Sequence, residues 1–533
     1  MSEASKKQSF LHGTALLALA TAVVKVIGAL YKIPLNAIIG EQGFGYFNTA
    51  YEIYNVLLMI STAGLPVAMS RMISEASSLG HYNQVRRIYS TAKTIFLTLG
   101  IAGSLLMTLF CRQLAAFQEQ PDAWAAIGCL GPCVLLICIM STYRGFFQGQ
   151  GNMIPTSVSQ VLEAVCKLIV GMIAALALLK MTNSIPLAAG GAILGVTASC
   201  VVSALYLFSR YRKTRMAMPK TEEDVLPFGV TAKRLLAIAI PITIGSAGLS
   251  ILTMLETKIY MGQLLGIGYT QDQADTMKGI YDMTKTIFNM PCAFITPITI
   301  SIIPAITAQL TLKNTQGAKA TEESAARVTG LISMPCAVGL AVLAGPVTAL
   351  LGGYKGENLQ LATMLMAVLG VCIVFNAIVL LTNAMMQAHG HVNLPVINMF
   401  IGGILKLVAV FVLTGNKHIG IVGTPIGSLL CYAAITVLNL ITMKRVIPDA
   451  PAIVKNLLRP GLAAIIMGLF TYGAWYGLTA LLGTDTSRVI LCGVPIMVGV
   501  AVYAVAAIKL KAITREDCLL LPKGEKIAKL LHL

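Results

Sequence analysis

Apolar residues run along this chain in long blocks, separated by short polar breaks, from Phe10 to Leu510. A helix needs about 20 predominantly apolar residues to cross a bilayer. Fourteen blocks meet that demand: 10–39, 47–72, 94–110, 124–147, 154–179, 185–208, 235–265, 280–310, 328–351, 359–386, 394–413, 419–443, 461–482 and 489–510. The first follows Lys6 and Lys7 and carries Ala18-Leu19-Ala20, as a signal peptide would, yet stays apolar to Ile39. That continuity predicts a retained span. Composition points the same way: 56% of the 533 residues are hydrophobic, 11% are charged, and the mean hydropathy is +0.79. An average soluble protein is about 45–50% apolar and about 25% charged. A water-soluble enzyme, a disordered chain and a secreted disulfide scaffold are excluded. The expected fold is an all-α polytopic membrane protein with about 14 transmembrane helices.

The polar breaks set the orientation. A net charge of +17 would suggest nucleic acid in a soluble protein. Here the basic residues alternate by side. With the N-terminus inside, and with Arg71, Arg144 and Lys509 at the cytoplasmic ends of their blocks counted on that side, 27 of the 39 Lys and Arg are cytoplasmic, 6 lie in outer loops and 6 within spans. This positive-inside bias places both termini in the cytoplasm of a bacterial cytoplasmic membrane, with no nucleic-acid partner. Eleven of the twelve cysteines sit in or beside apolar blocks and no CxxC occurs, so neither a disulfide framework nor a metal site is expected. No Walker A sequence occurs, and no cofactor is expected.

The longest polar connection, 210–234, holds seven Lys and Arg and follows the sixth block. It divides the chain into an N-terminal six-helix lobe (1–209), a cytoplasmic linker (210–234), a C-terminal six-helix lobe (235–445), helices 13 and 14 (446–510) and a cytoplasmic tail (511–533). An internal echo fits two parallel repeats: Gln148 precedes Lys167, and Gln387 precedes Lys406, by the same 19 residues, with Gly151 and Gly390 in register.

Apart from Arg71, Arg144 and Lys509 at the cytoplasmic ends, ten Lys, Asp and Glu residues fall inside the blocks: Lys25, Lys32, Glu52, Glu163, Lys167, Glu256, Lys258, Asp282, Lys285 and Lys406. A lone charge at the bilayer centre costs about 2.5–3.5 kcal/mol on insertion scales, so these side chains should face one another or a wet cavity. At about 1.5 Å of rise per residue, Lys25, Glu163, Lys167 and Lys406 come near mid-depth. Six positive and four negative residues make a net cationic interior. A purely structural reading stands beside this. Glu163 and Lys167 are i,i+4 and Asp282 and Lys285 are i,i+3, so each pair can neutralise itself locally, while Lys32 and Lys258 can snorkel outward. Gly149-Gln150-Gly151 reads as a tight cytoplasmic turn, and His389 and His391 stand in the matching turn of the second half without further metal ligands.

Several segments carry a resemblance: Lys25-Val26-Ile27-Gly28, Gly64-Leu65-Pro66 leading to Arg71, and Arg144-Gly145-Phe146-Phe147-Gln148-Gly149-Gln150-Gly151-Asn152. With the order of spans, they resemble the multidrug/oligosaccharidyl-lipid/polysaccharide (MOP) exporter superfamily. Within it the chain looks like the polysaccharide-transporter branch, the stage V sporulation protein B group, which is similar to MurJ-type lipid II flippases. The resemblance implies two six-helix lobes, two extra C-terminal helices and alternating access. It implies a non-enzymatic carrier of a lipid-linked anionic precursor in cell-wall or spore-cortex biosynthesis. The resemblance matches Lys25 to a basic position on the first span, and Lys32, Glu52 and Lys285 lie on lining spans one, two and eight without a residue-by-residue match. With the mid-depth Lys167 and Lys406 of spans five and eleven they make up the candidate cationic cavity, and Arg144, Gln148, Gly149 and Gly151 are the gating or turn residues. The competing readings are a cation-coupled multidrug or metabolite antiporter, which expects an acidic cavity, and a scaffold recruiting cell-wall synthases. Besides the precursor, membrane lipids are the expected partners.

Overall fold

The computed structural model describes residues 3–219, 221–222, 224–447, 449–483 and 487–512, with side chains from Val23 onward except at 25, 26, 29, 217, 297–301 and 304. Every apolar block becomes helix, and no strand occurs among the described residues. The helices are α1 (Glu3–Thr62), α2 (Leu65–Ser78), α3 (Tyr82–Leu109), α4 (Cys111–Phe117), α5 (Trp124–Gly149), α6 (Ile154–Thr182), α7 (Ile185–Ala217) and α8 (Phe228–Gly266). They continue as α9 (Gln271–Thr311), α10 (Thr315–Val342), α11 (Ala344–Leu351), α12 (Gly356–Ala388), α13 (Asn393–Thr414), α14 (Gly423–Val446), α15 (Ile453–Leu482) and α16 (Arg488–Lys509). Twelve stretches of the described residues are long and apolar enough to cross a membrane. That agrees roughly with about fourteen, since blocks 10–39 and 280–310 fall partly on side chains outside the description.

Contacts divide the chain into two compact units, Met1–Gly279 and Ile280–Leu533, with the boundary inside α9. In the first unit, the first two apolar blocks form the arms of one run, α1, broken at Gly40, whose φ of 69° and ψ of −178° leave the helical region. A glycine adopts such a positive φ without steric cost. The Gly64-Leu65-Pro66 segment then starts α2, with proline in its first turn, where no amide donor is needed. Gly64 also meets α8 closely: a Cβ there would lie 2.1 Å from the Ala239 carbonyl oxygen. Small residues at such crossings let backbones approach in a membrane, where lipid tails are as apolar as leucine. Helix α6 packs on α7, and α5 lies against both α3 and α7.

The polar connection after α7 is strapped down. Arg86 donates to the carbonyls of Met218 (2.9 Å) and Pro219 (3.2 Å), and the Leu226 amide donates to Gln84 Oε1 (2.9 Å). Arg234 forks onto both carboxylate oxygens of Glu75 at 3.0 and 3.1 Å.

In the second unit, α12 packs against α10 and α14, α13 against α14, α15 against α10, and α16 against α15. Asn439 ties three of these helices together. It donates to Thr382 Oγ1 and Asn383 Oδ1 on α12 (both 2.8 Å), and its own oxygen accepts from Asn398 on α13 (2.9 Å). His389, in the turn between α12 and α13, lies 2.7 Å from Glu322 on α10, which gives the HxH histidine a structural partner. No three-residue metal-holding cluster occurs among the described residues.

Candidate functional site

The first unit carries four of the expected cavity residues, and the three with described side chains each have a specific environment. Lys32 donates to Asn48 Oδ1 (3.1 Å), and its ammonium stands 5.8 Å from the centre of the Phe44 ring. Glu52 lies 3.5 Å from Lys278, and the two side chains are 9% and 0% exposed. Lys167, half-buried on α6, points its ammonium at the rings of Tyr31 (5.8 Å) and Tyr51 (5.7 Å). Cations over aromatic faces gain about 0.5–2 kcal/mol, most where water is scarce. Those tyrosines belong to a row continued by Phe47 and Tyr54 on α1, and their hydroxyls are buried with no hydrogen-bond partner among the described residues.

The i,i+4 pairing of Glu163 with Lys167 does not form. Glu163 accepts from Arg144 Nη2 at 3.0 Å, and Arg144 Nε also donates to Ser159 Oγ at 3.1 Å. Guanidinium presents a fork of donors and suits a half-buried carboxylate better than an ammonium does. Arg144 therefore lies inside α5, as do Gln148 and Gly149. Of the four turn residues expected, Gly151 is the one in the turn itself, at φ 75°. Gly149 serves packing, because a Cβ there would come within 2.7 Å of Ile73 on α2. Lys258 does not simply snorkel outward; its ammonium stands 3.7 Å from the Phe117 ring centre.

A second polar cluster joins α1 to the first turns of α9. Asp275 accepts from Tyr46 Oη (3.0 Å), Gln120 Nε2 (2.8 Å) and Gln271 Nε2 (3.0 Å), and Thr49 bonds Gln120. Asp275 precedes the apolar block 280–310. Burial pushes its carboxyl above the usual carboxylate range, and the three donated hydrogen bonds oppose that rise. Gly279 closes the contact: a Cβ on it would fall 1.7 Å from the Glu41 carbonyl oxygen.

The remaining cavity candidates divide as follows. Lys285 lies 3.9 Å from Asp282 and 5.2 Å from the Tyr281 ring centre, so this i,i+3 pair does form. Lys406 is half-buried on α13 in the second unit. Lys25 lies on α1, with its side chain outside the described residues.

Residues 10–309, more than half of the chain, match the family model for polysaccharide biosynthesis proteins. The chain belongs to that family. Stage V sporulation protein B of Bacillus subtilis is 27% identical over 448 residues, which are 83% of this chain and 85% of the relative. The lipid II flippase MurJ of Bacillus subtilis is 24% identical over 414 residues, 75% and 76% of the two chains. Among solved structures, an inward closed lipid II flippase MurJ superposes with a TM-score of 0.64 at 14% identity, covering 92% of this chain and 98% of that one. An inward-facing MATE family transporter of the MOP superfamily gives 0.66 at 15% identity, covering 80% and 98%. This polysaccharide biosynthesis family member is thus a multi-pass membrane protein with the MOP-superfamily fold.

Two groups in this family member escaped the sequence reading. Lys278 was counted among outer-loop charges, because α9 starts nine residues before its apolar block. Asp275 and Gln120 stood in polar breaks with no motif around them. The only available signal was the density of polar residues in Gln271–Lys278, unusual for an outer loop that should be short and neutral.

Proposed function

We propose that this protein is a flippase that carries a lipid-linked, undecaprenyl-diphosphate-type oligosaccharide or peptidoglycan precursor across the cytoplasmic membrane by alternating access. In this reading its termini are cytoplasmic, and its work belongs to cell-wall or spore-cortex biosynthesis. One observation carries the proposal: Arg144 takes Glu163, so Lys167 faces two tyrosine rings with no carboxylate in ion-pair range among the described residues. Two cations and one carboxylate leave this group at +1, a sign that suits diphosphate. With the cell interior negative, outward movement of an anion gains about 2.3 kcal/mol per charge per 100 mV.

The antiporter reading rests on the equally good match to a MATE fold. It needs available carboxylates for cationic drugs, whereas Glu52 and Glu163 each hold a cation within 3.5 Å. Proteoliposomes loaded with a labelled undecaprenyl-diphosphate sugar test the choice, with access scored from the opposite leaflet. Translocation should fall strongly in Lys167→Gln and Lys25→Ala at equal protein incorporation. Parental translocation in both variants, or efflux of a cationic dye that requires Glu52, would overturn the flippase assignment.

A further inference from the structure

A cavity of about 1030 Å³ opens in the second unit, where α11, the start of α12, the end of α15 and the start of α16 meet. It is as large as the pockets that hold drug-sized ligands, about 300–1,000 Å³. Its lining includes Lys355, Gln360, Thr363, Trp475, Thr479 and Arg488, and no carboxylate lines it among the described residues. Outer loops hold few basic residues under the positive-inside rule, and only 6 of the 39 Lys and Arg were assigned to them. Two of those six, Lys355 and Arg488, share this one cavity.

The cations are held in place. Arg488 donates one N–H to the Ala349 carbonyl at 2.8 Å, which anchors the guanidinium and leaves its other donors for a ligand. Lys355 precedes the first turn of α12 and Arg488 opens α16, so the positive ends of two helices lie at the cavity beside the negative end of α15. The loop carrying Lys355 is shaped around buried Tyr354: Gly353 and Gly356 take φ of 76° and 53°, and a Cβ on Gly352 would collide with the Tyr354 ring at 2.3 Å. Neither Lys355 nor Arg488 makes an ion pair among the described residues. The rim is apolar and open: Met364 in the lining is 53% exposed, and Val489, beside Arg488, is 64% exposed. Trp475 has the amphipathic ring favoured at membrane interfaces.

We propose that this cavity binds the phosphate headgroup of an anionic membrane lipid, on the side of the protein opposite its termini. The two cations and Gln360 address the phosphate oxygens; Thr363 and Thr479, whose hydroxyls donate to the Leu359 and Trp475 carbonyls at 2.7 Å, accept from glycerol hydroxyls, and the apolar rim receives the start of the acyl chains. The site is separate from the Lys167 group, and its test measures binding, so its failure would leave the transport reading untouched.

Trp475 is one of only two tryptophans, which makes it a reporter once Trp124→Phe removes the other. The full-length protein in nonionic detergent is titrated with dihexanoyl phosphatidylglycerol, dihexanoyl phosphatidylcholine and inorganic phosphate. Phosphatidylglycerol should change Trp475 emission saturably, phosphatidylcholine should not, and inorganic phosphate should act only at much higher concentration. Lys355→Gln with Arg488→Gln should raise the half-saturating concentration about tenfold or more, since one hydrogen bond to a charged group is worth roughly that factor. Gln360→Glu, exposed and of the same size, should weaken binding without disturbing the fold, and it decides the matter if the double variant does not fold. Equal responses to the two lipids, or parental titration of a folded Gln360→Glu variant, would overturn the proposal. Saturation by inorganic phosphate at the same concentration as phosphatidylglycerol would reassign the cavity to a soluble anion and refute the lipid.

Discussion

Replacing Arg144 with methionine should silence Lys167 without touching it. In the native protein Arg144 makes two hydrogen bonds, to Glu163 at 3.0 Å and to Ser159 at 3.1 Å, with side chains of the ion pair 17% and 27% exposed. Hydrogen bonds to charged groups contribute about 1.5–3 kcal/mol each. Some of this returns, because Glu163 can then turn to Lys167 one helical turn away, a pairing worth about 0.3–0.5 kcal/mol on an exposed helix and more where water is scarce. A net loss of about 2–5 kcal/mol is expected, the range for a broken buried polar network. The three-residue group drops from +1 to neutral, and the cation facing Tyr31 and Tyr51 is lost to its new partner. Translocation of the diphosphate-linked probe should therefore collapse in Arg144→Met. It should persist in Glu163→Gln, where nothing captures Lys167, and return in the double variant Arg144→Met/Glu163→Gln. Thermal unfolding in detergent and proteoliposome translocation, run on all four proteins, form a double-mutant cycle. A double variant no more active than Arg144→Met would refute the reasoning, because the defect would then come from Arg144 itself.

Three further outcomes are expected. Gly279→Ala forces a Cβ to within 1.7 Å of the Glu41 carbonyl oxygen, so α9 must back away from α1. Overpacking of this kind costs about 1–3 kcal/mol, and an unchanged unfolding midpoint would contradict the contact. Asp275 has a raised pKa in the folded state, so it binds its proton more tightly there than in the unfolded chain. Its contribution is greatest below the ordinary carboxyl pKa and declines as pH rises from that value through the raised one. Asp275→Asn should flatten this part of the stability profile measured by unfolding at a series of pH values, and an identical slope in both proteins would exclude the assignment. Finally, Lys417→Cys and His81→Cys occupy exposed loops on opposite faces by the charge rule. In intact cells an impermeant thiol reagent should add label above the parent's level at position 417 and not at 81; the reverse pattern would invert the topology.

Much of this protein was legible along the chain because bilayer insertion is a local property. Twenty apolar residues in a row predict a helix wherever they later pack, and every block from 10–39 to 489–510 lies in helix. The family was legible too, since its turn segments lie in continuous sequence. Even the reason for Gly64-Leu65-Pro66 needed the fold, however, because the Ala239 carbonyl that excludes a side chain at Gly64 is 175 residues away.

What only tertiary structure decided was the partner of each charge. Glu163 stands four residues before Lys167, and local spacing favours that pair, yet α5 brings Arg144 across with better donor geometry. Glu52 finds Lys278, a residue that hydropathy had left in a loop. Lys355 and Arg488, 133 positions apart, meet at one cavity. Hydropathy sums over neighbours in sequence, whereas Coulomb interactions and hydrogen bonds act over a few ångströms of space. The apolar blocks determined that interior charges must be compensated, and helix packing determined which partner does it.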